Sequence, residues 1–82
     1  MTQILYFGRL SDLTGTSQEA LDLPEHIKTT GELRLWLDQR FSANGALLEP
    51  SVRIALNNQF VFDQELIVGA SEVAFMPPVG GG

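Results

Sequence analysis

The sequence predicts a two-layer α+β domain, a mixed sheet of about five strands packed on one main helix. Three observations carry that expectation. A capped segment starting at Thr29 has apolar residues at helical spacing, short strand-forming runs bounded by turn residues lie on both sides of it, and the chain has only 82 residues. A chain of that length buries about 60 % of its unfolded surface, which suffices for one core and no more.

Gln3 to Phe7 is apolar, rich in strand formers and ends at Gly8, so it reads as a first strand buried on at least one face. Arg9 to Thr14 suits a short helical turn stopped by Gly15. Gln18 to Leu23 then alternates, with Glu19, Leu21 and Leu23 on one face and Gln18, Ala20 and Asp22 on the other, as a return strand does. Pro24 closes it, because proline cannot donate to a strand ladder.

Thr29 and Glu32 have the spacing of a capping box, which satisfies two backbone donors that a helix N-terminus leaves unpaired. Leu33, Trp36, Leu37 and Phe41 form the apolar stripe that must lie on the sheet. Arg34, Asp38 and Gln39 are expected to face water, and Leu35 falls off the stripe. Ser42 to Gly45 ends the helix. Val52 to Leu56 reads as a buried strand, Asn57-Asn58 as a tight turn and Gln59 to Phe62 as a short strand, since asparagine tolerates the left-handed conformation such turns require. Leu66, Ile67 and Val68 add apolar side chains before Gly69, and Glu72 to Met76 is the last strand, bounded by Pro77-Pro78. Strands in this order around a lone helix fit the β-grasp arrangement, an order that does not by itself separate it from other small α+β domains. The expected organisation is a domain over 1–76 and a glycine-rich tail over 77–82.

Composition narrows the function. Hydrophobic residues make up 44 % of the chain, too many for a disordered segment. There is no cysteine, which removes disulfides, thiolate metal sites and thiol nucleophiles together. Ten acidic residues against five basic ones give a net charge of −5, which repels a phosphate backbone and argues against nucleic acid. Met1 to Phe7 has no basic leader region, and no apolar run approaches the ~20 residues of a membrane span, so no membrane association and a cytoplasmic location are expected.

Side-chain catalysis has little to work with. The chain has one histidine, His26, between Pro24 and the helix cap with no partner constellation, one lysine, Lys28, and one tyrosine, Tyr6. No metal-ligand spacing, phosphate loop or nucleophile elbow is present, so no bound metal or cofactor is expected. What remains is the tail. Pro77 and Pro78 stiffen the exit from the last strand, Val79 follows, and Gly80, Gly81 and Gly82 are bare enough to thread a channel too narrow for any side chain. A carboxylate with a pKa near ~3.5 is ionised and a poor electrophile at neutral pH, so a Gly82 carboxyl that transfers anything must first be activated. Adenylation followed by attack of a sulfur nucleophile yields a thiocarboxylate and needs no reactive side chain on the carrier. Phe60, Phe62, Phe75 and Met76 are core or partner-facing, and Phe60, Phe75 and Met76 are the expected docking patch.

Glu72-Val73-Ala74-Phe75-Met76-Pro77-Pro78-Val79 leading into the terminal glycines resembles the ending of the molybdopterin synthase small-subunit family, the MoaD-type sulfur carriers. Ile4 to Phe7, Leu13 to Thr16 and Ala55 to Gln59 resemble that family too, so the likeness covers nearly the whole chain. Gly80 stands where the family often has a small or hydroxylated residue. The resemblance implies a subunit of a sulfurtransferase, a heterotetramer with two copies of a large catalytic subunit, and a Gly82 that is adenylated and then thiocarboxylated to supply the molybdopterin dithiolene from a cyclic pyranopterin. An adenylyltransferase partner would use ATP and magnesium. Alternatives are a ubiquitin-like protein modifier, for which Lys28 is the sole internal acceptor, the thiamin-type sulfur carrier, and an interaction module with an inert tail.

Overall fold

The computed structural model describes residues 1–67 and 69–78. The elements are β1 (Thr2–Tyr6), α1 (Leu10–Thr14), β2 (Gln18–Leu21), α2 (Thr30–Arg40), a 3-10 turn (Ala46–Leu48), β3 (Arg53–Leu56), β4 (Gln59–Val61) and β5 (Glu72–Met76). The 3-10 turn is the one element the sequence reading lacks. The expected roles of Val68, Val79, Gly80, Gly81 and Gly82 lie outside the described residues.

The strands form one mixed sheet in the order β2-β1-β5-β3-β4. β5 pairs parallel with β1 and antiparallel with β3, so the strand last in sequence is the middle strand in space. This is the β-grasp arrangement. On the side of the sheet that faces α2, alternation brings Ile4, Tyr6, Val73, Phe75 and Ile54 together with Leu33 and Leu37, all at most 2 % exposed. Burying each such side chain contributes about 1.5–3 kcal/mol. Trp36 and Phe41 pack on the margin of this core and are half-buried.

Local chemistry sets the joints. Gly15 ends α1 at φ 81°, a left-handed conformation where a Cβ would be strained. Asn57 and Asn58 make the β3–β4 turn at φ 48° and 72°. Asn57 does more than turn the chain: its Oδ1 accepts from the Ser71 N–H, the Ser71 hydroxyl and the Glu72 N–H at 3.2, 3.1 and 3.0 Å, tying the hairpin to the start of β5. The capping box is present, with Thr29 Oγ1 accepting from the Glu32 N–H and the Glu32 carboxylate accepting from the Thr29 N–H. Glu32 also accepts from the Lys28 N–H at 2.8 Å, and these backbone donors hold its carboxyl below the usual range.

Arg34 and Asp38 do not face water as expected. Each is 7 % exposed, on the flank of α2 that clasps the 3-10 turn. Asp38 accepts from the Gly45 and Leu47 N–H groups at 2.9 and 3.0 Å. Arg34 donates through Nη1 to the Leu47 and Glu49 carbonyls and through Nε to Asp63 Oδ1 at 3.0 Å. One helical turn thus satisfies both backbone groups of Leu47, whose side chain is fully buried in the core. The segment after β4 is strapped to the start of α2 in the same way. The Gly31 N–H donates to the Asp63 carbonyl, the Thr30 N–H to Glu65 and the Ile67 N–H to Lys28, each at 2.9 Å.

Removing one partner from a buried charged network leaves uncompensated donors. Asp38→Ala is expected to lower unfolding free energy by about 2–4 kcal/mol in chemical denaturation, whereas Gln39→Ala, on the exposed face, changes it by less than about 0.5 kcal/mol.

Tyr6 is 2 % exposed, and its hydroxyl donates to Glu19 at 2.8 Å while Arg40 holds the same carboxylate oxygen at 2.9 Å. Burial first, then the bond to Glu19, pushes the phenol far above its ordinary value of 10.0. The folded chain therefore holds this proton more tightly than the unfolded chain. That contribution is intact below the ordinary tyrosine range and is lost as pH rises beyond about 10, where the unfolded state ionises first. Titration at 295 nm should show tyrosinate only in step with loss of the circular-dichroism signal. A phenol that ionises while the fold persists contradicts this assignment.

Candidate functional site

The site begins where β5 ends. Met76 stands opposite Arg53 on β3, and the Phe7 N–H donates to the Phe75 carbonyl at 3.0 Å, so the strands on both sides of β5 hold it up to its last residues. Pro77 follows directly and is half-buried, and Pro78 is exposed. Gly8 turns the chain beside them at φ 56°. A Cβ there would lie 2.9 Å from Pro77 Cγ, so the bare glycine lets the root of the tail sit against the β1–α1 turn. Gly80, Gly81 and Gly82, with Val79, lie outside the described residues.

The second component is the face of the sheet that α2 leaves open. The register places Leu5, Ala74, Ala55 and Phe60 in one row across β1, β5, β3 and β4. Ala55 and Ala74 are small and nearly inaccessible, which makes the middle of the row a low floor between Leu5 and Phe60. Met76 is half-buried on the same face, Phe60 is 55 % exposed and Phe62, continuing the alternation of β4, is 82 % exposed. The Arg53 guanidinium lies 5.1 Å from the Phe60 ring centroid. A groove of about 560 Å³, lined by Arg34, Pro50, Arg53, Phe60, Phe62 and Asp63, runs along the β4 side. Adjoining apolar residues on an open sheet face, next to the tail root, have the character of a docking surface.

The expected docking patch needs one correction and one addition. Phe75 is 0 % exposed, stacks with Tyr6 at 5.9 Å between centroids and belongs to the core, because β5 alternates and its neighbour Met76 takes the open face. Phe60 and Met76 do stand on that face. Phe7 joins them, 47 % exposed and beside the end of β5. The signal for Phe7 was in the sequence: Ile4-Leu5-Tyr6-Phe7 is apolar on both faces of a strand, whereas a strand with one solvated face alternates. His26 and Lys28 are exposed in the connection ahead of α2. Among the described residues no group of three or more His, Cys, Asp or Glu could hold a metal ion, and no helix is long and apolar enough to cross a membrane.

The model of one family, described as the ThiS family, matches residues 4–82, tail included. The chain belongs to the ThiS family. Among curated relatives it is 30 % identical, over 84 residues, to the molybdopterin synthase sulfur carrier subunit of Homo sapiens, with 98 % of this chain and 92 % of that one covered. Among solved structures, that of SAMP1 from Haloferax volcanii has a TM-score of 0.79 at 19 % identity and covers 99 % of this chain and 98 % of its own. A Pyrococcus furiosus protein described as molybdopterin converting factor, subunit 1, has a TM-score of 0.78 at 25 % identity, covering 95 % of this chain and 97 % of its own. The archaeal likenesses carry the fold, and the family match carries the membership of this ThiS-family chain.

The two phenylalanines make a direct test of this assignment of faces. Phe75→Asp buries a charge at a fully enclosed position and should cost more than about 4 kcal/mol, enough to unfold a domain of this size. Phe60→Asp should leave the thermal midpoint close to wild type. A cooperative melt for both variants, or for neither, contradicts the division between core face and open face.

Proposed function

We propose that this ThiS-family chain is the sulfur carrier subunit of a molybdopterin synthase and that its working group is the carboxyl of Gly82. The observation that carries the reading is the terminal triglycine on a two-proline stalk, rooted at the central strand of the sheet, in a chain 30 % identical along nearly its whole length to a molybdopterin synthase sulfur carrier subunit. The chain is then one part of a sulfurtransferase, and its partners are the large catalytic subunit, in a heterotetramer, and an adenylyltransferase that uses ATP and magnesium.

In this reaction the Gly82 carboxylate attacks the α-phosphorus of ATP and releases pyrophosphate, giving an acyl-adenylate. Sulfide-level sulfur, as hydrosulfide or its equivalent, then attacks the acyl carbon. The C–S bond forms as the C–O bond to AMP breaks, and the product is a C-terminal thiocarboxylate. Inside the large subunit two such thiocarboxylates, one for each sulfur, supply the dithiolene on the cyclic pyranopterin monophosphate, and each Gly82 is returned as a carboxylate. The contribution of this chain is placement. Pro77 and Pro78 set the direction in which the tail leaves, and the glycines present no Cβ to the channel wall. The open sheet face, with Phe7, Phe60 and Met76, seats the carrier so that the tail enters at a fixed depth.

The test is intact mass spectrometry of the chain from its native cell. A mass about 16 Da heavier, sulfur for oxygen, localised to Gly82, supports the reading, and the absence of cysteine removes the usual ambiguity about where added sulfur resides. Deletion of Gly82 should abolish dithiolene formation and leave the melting transition in place, because the residue lies beyond the core elements. Phe60→Asp should weaken binding to the large subunit by about 2 kcal/mol, near thirtyfold in Kd. Dithiolene synthesis by the Gly82-deleted chain would overturn the proposal.

A further inference from the structure

The chain has five cationic side chains against a net charge of −5, and they are not spread evenly. Arg34 is buried and committed to Asp63 and the Leu47 and Glu49 carbonyls. Arg40 is committed to Glu19 and lies over the Trp36 and Phe41 rings. Lys28 lies ahead of α2, where its carbonyl accepts from the Ile67 N–H in the segment that leads into the entry of β5, not its exit. Arg9 and Arg53 are different: both are exposed, and neither makes an ion pair among the described residues.

Both stand at the exit. Arg53 is the register partner of Met76 on β3, on one side of β5. Arg9 follows Gly8, which packs against Pro77 at the end of β1 on the other side. Asp12, in the first turn of α1, is the carboxylate nearest in sequence to Arg9. Glu72 marks the opposite end of β5, Asp22 faces the N-terminal ammonium and Glu65 lies against the start of α2. Asp63 lines the same groove as Arg53 but is paired with Arg34, so Arg9 and Arg53 flank the root of the tail at Pro77 in an otherwise acidic molecule.

An apolar face supplies attraction without direction, whereas charges at its margin set register and the rate of encounter. Arg53 is suited to that work, because stacking on Phe60 holds the side chain while its N–H groups stay free for a carboxylate. We propose that Arg9 and Arg53 form a docking collar around the tail root that pairs with carboxylates at the mouth of the partner channel receiving the tail. This rests on the docking reading above and adds the chemistry of the partner's rim.

The experiment is stopped-flow association of the full-length chain with the purified large subunit of molybdopterin synthase from the same organism, between low and high salt. Wild-type association should slow as salt rises. Arg9→Glu with Arg53→Glu should lower the low-salt rate constant about tenfold or more, with the gap closing to within about twofold near 0.5 M salt, where charges are screened over a few ångströms. Lys28→Glu, an equal change per residue at the remote end, should stay within about twofold of wild type, and the double Arg→Lys variant should retain the wild-type rate. The collar is refuted if the double Arg→Glu variant associates like wild type at low salt, or if Lys28→Glu slows association as much as Arg53→Glu. Wild-type binding with indifferent arginines removes the collar alone, whereas failure of the wild-type chain to bind the large subunit removes the docking reading with it.

Discussion

The pairing of β5 between β1 and β3 is the constraint on which the rest of the molecule depends. A C-terminal strand at a sheet edge is held along one side and can fray, and whatever follows it leaves in no fixed direction. Here the last strand has ladder hydrogen bonds on both sides. Withdrawing β5 would remove Val73 and Phe75 from the core and split the sheet into two hairpins, leaving one edge of β1 and one edge of β3 unpaired at once. β5, and with it the root of the tail at Pro77, is therefore held by the global stability of the domain rather than by local contacts. The proposed chemistry at Gly82 would have a direct need for that arrangement, since it lies six residues along the chain from the ladder pair of Met76 with Arg53.

The size of the chain explains how the fold closes. One helix cannot cover a five-stranded sheet, and one flank of the core is sealed by Leu47, on a turn with little regular hydrogen bonding of its own. An unsatisfied Leu47 backbone would cost as much as the side chain contributes. Arg34 and Asp38 resolve that conflict from one face of α2, at an i, i+4 spacing that lets one accept the N–H and the other donate to the carbonyl. Buried charges serve as backbone partners here, which is why they stand where a simple apolar stripe would put leucine.

Much of this was legible in the sequence, for reasons that also mark where legibility stopped. The capping box, the Asn-Asn turn and the bounds of β5 are local chemistry, so Thr29, Asn57 and Pro77 announce them without knowledge of the fold. The order of elements limited the fold to small α+β domains, with the β-grasp arrangement among them. Arg34 and Asp38 were misread because periodicity assigns polar residues to water, and their partners at 45–49 and 63 come from distant segments that the helix pattern does not encode. Phe75 and Met76 are adjacent and both apolar, so their opposite faces depend on the pleat, which becomes visible only when the register is known. Phe7 was passed over for the converse reason. It was counted with the strand, although the sheet leaves that side of β1 uncovered.

The sheet therefore has two apolar faces with different obligations. The face on α2 is closed by large interlocking side chains, and the other is kept flat by Ala55 and Ala74 and rimmed by Leu5, Phe7, Phe60 and Met76. Alanine is a poor choice for a solvated sheet face, where β-branched or polar residues fit better, and a sensible one where another surface must approach closely. An isolated domain gains nothing from exposing Phe60 and Phe62 beside that floor. A partner that covers the face, as proposed, would recover that cost, and the tail root stands at its edge. Under the proposed function, fold, open face and glycine terminus describe one device: a small domain that would present its own end to another protein's active site and leave the reactive side chains to that protein.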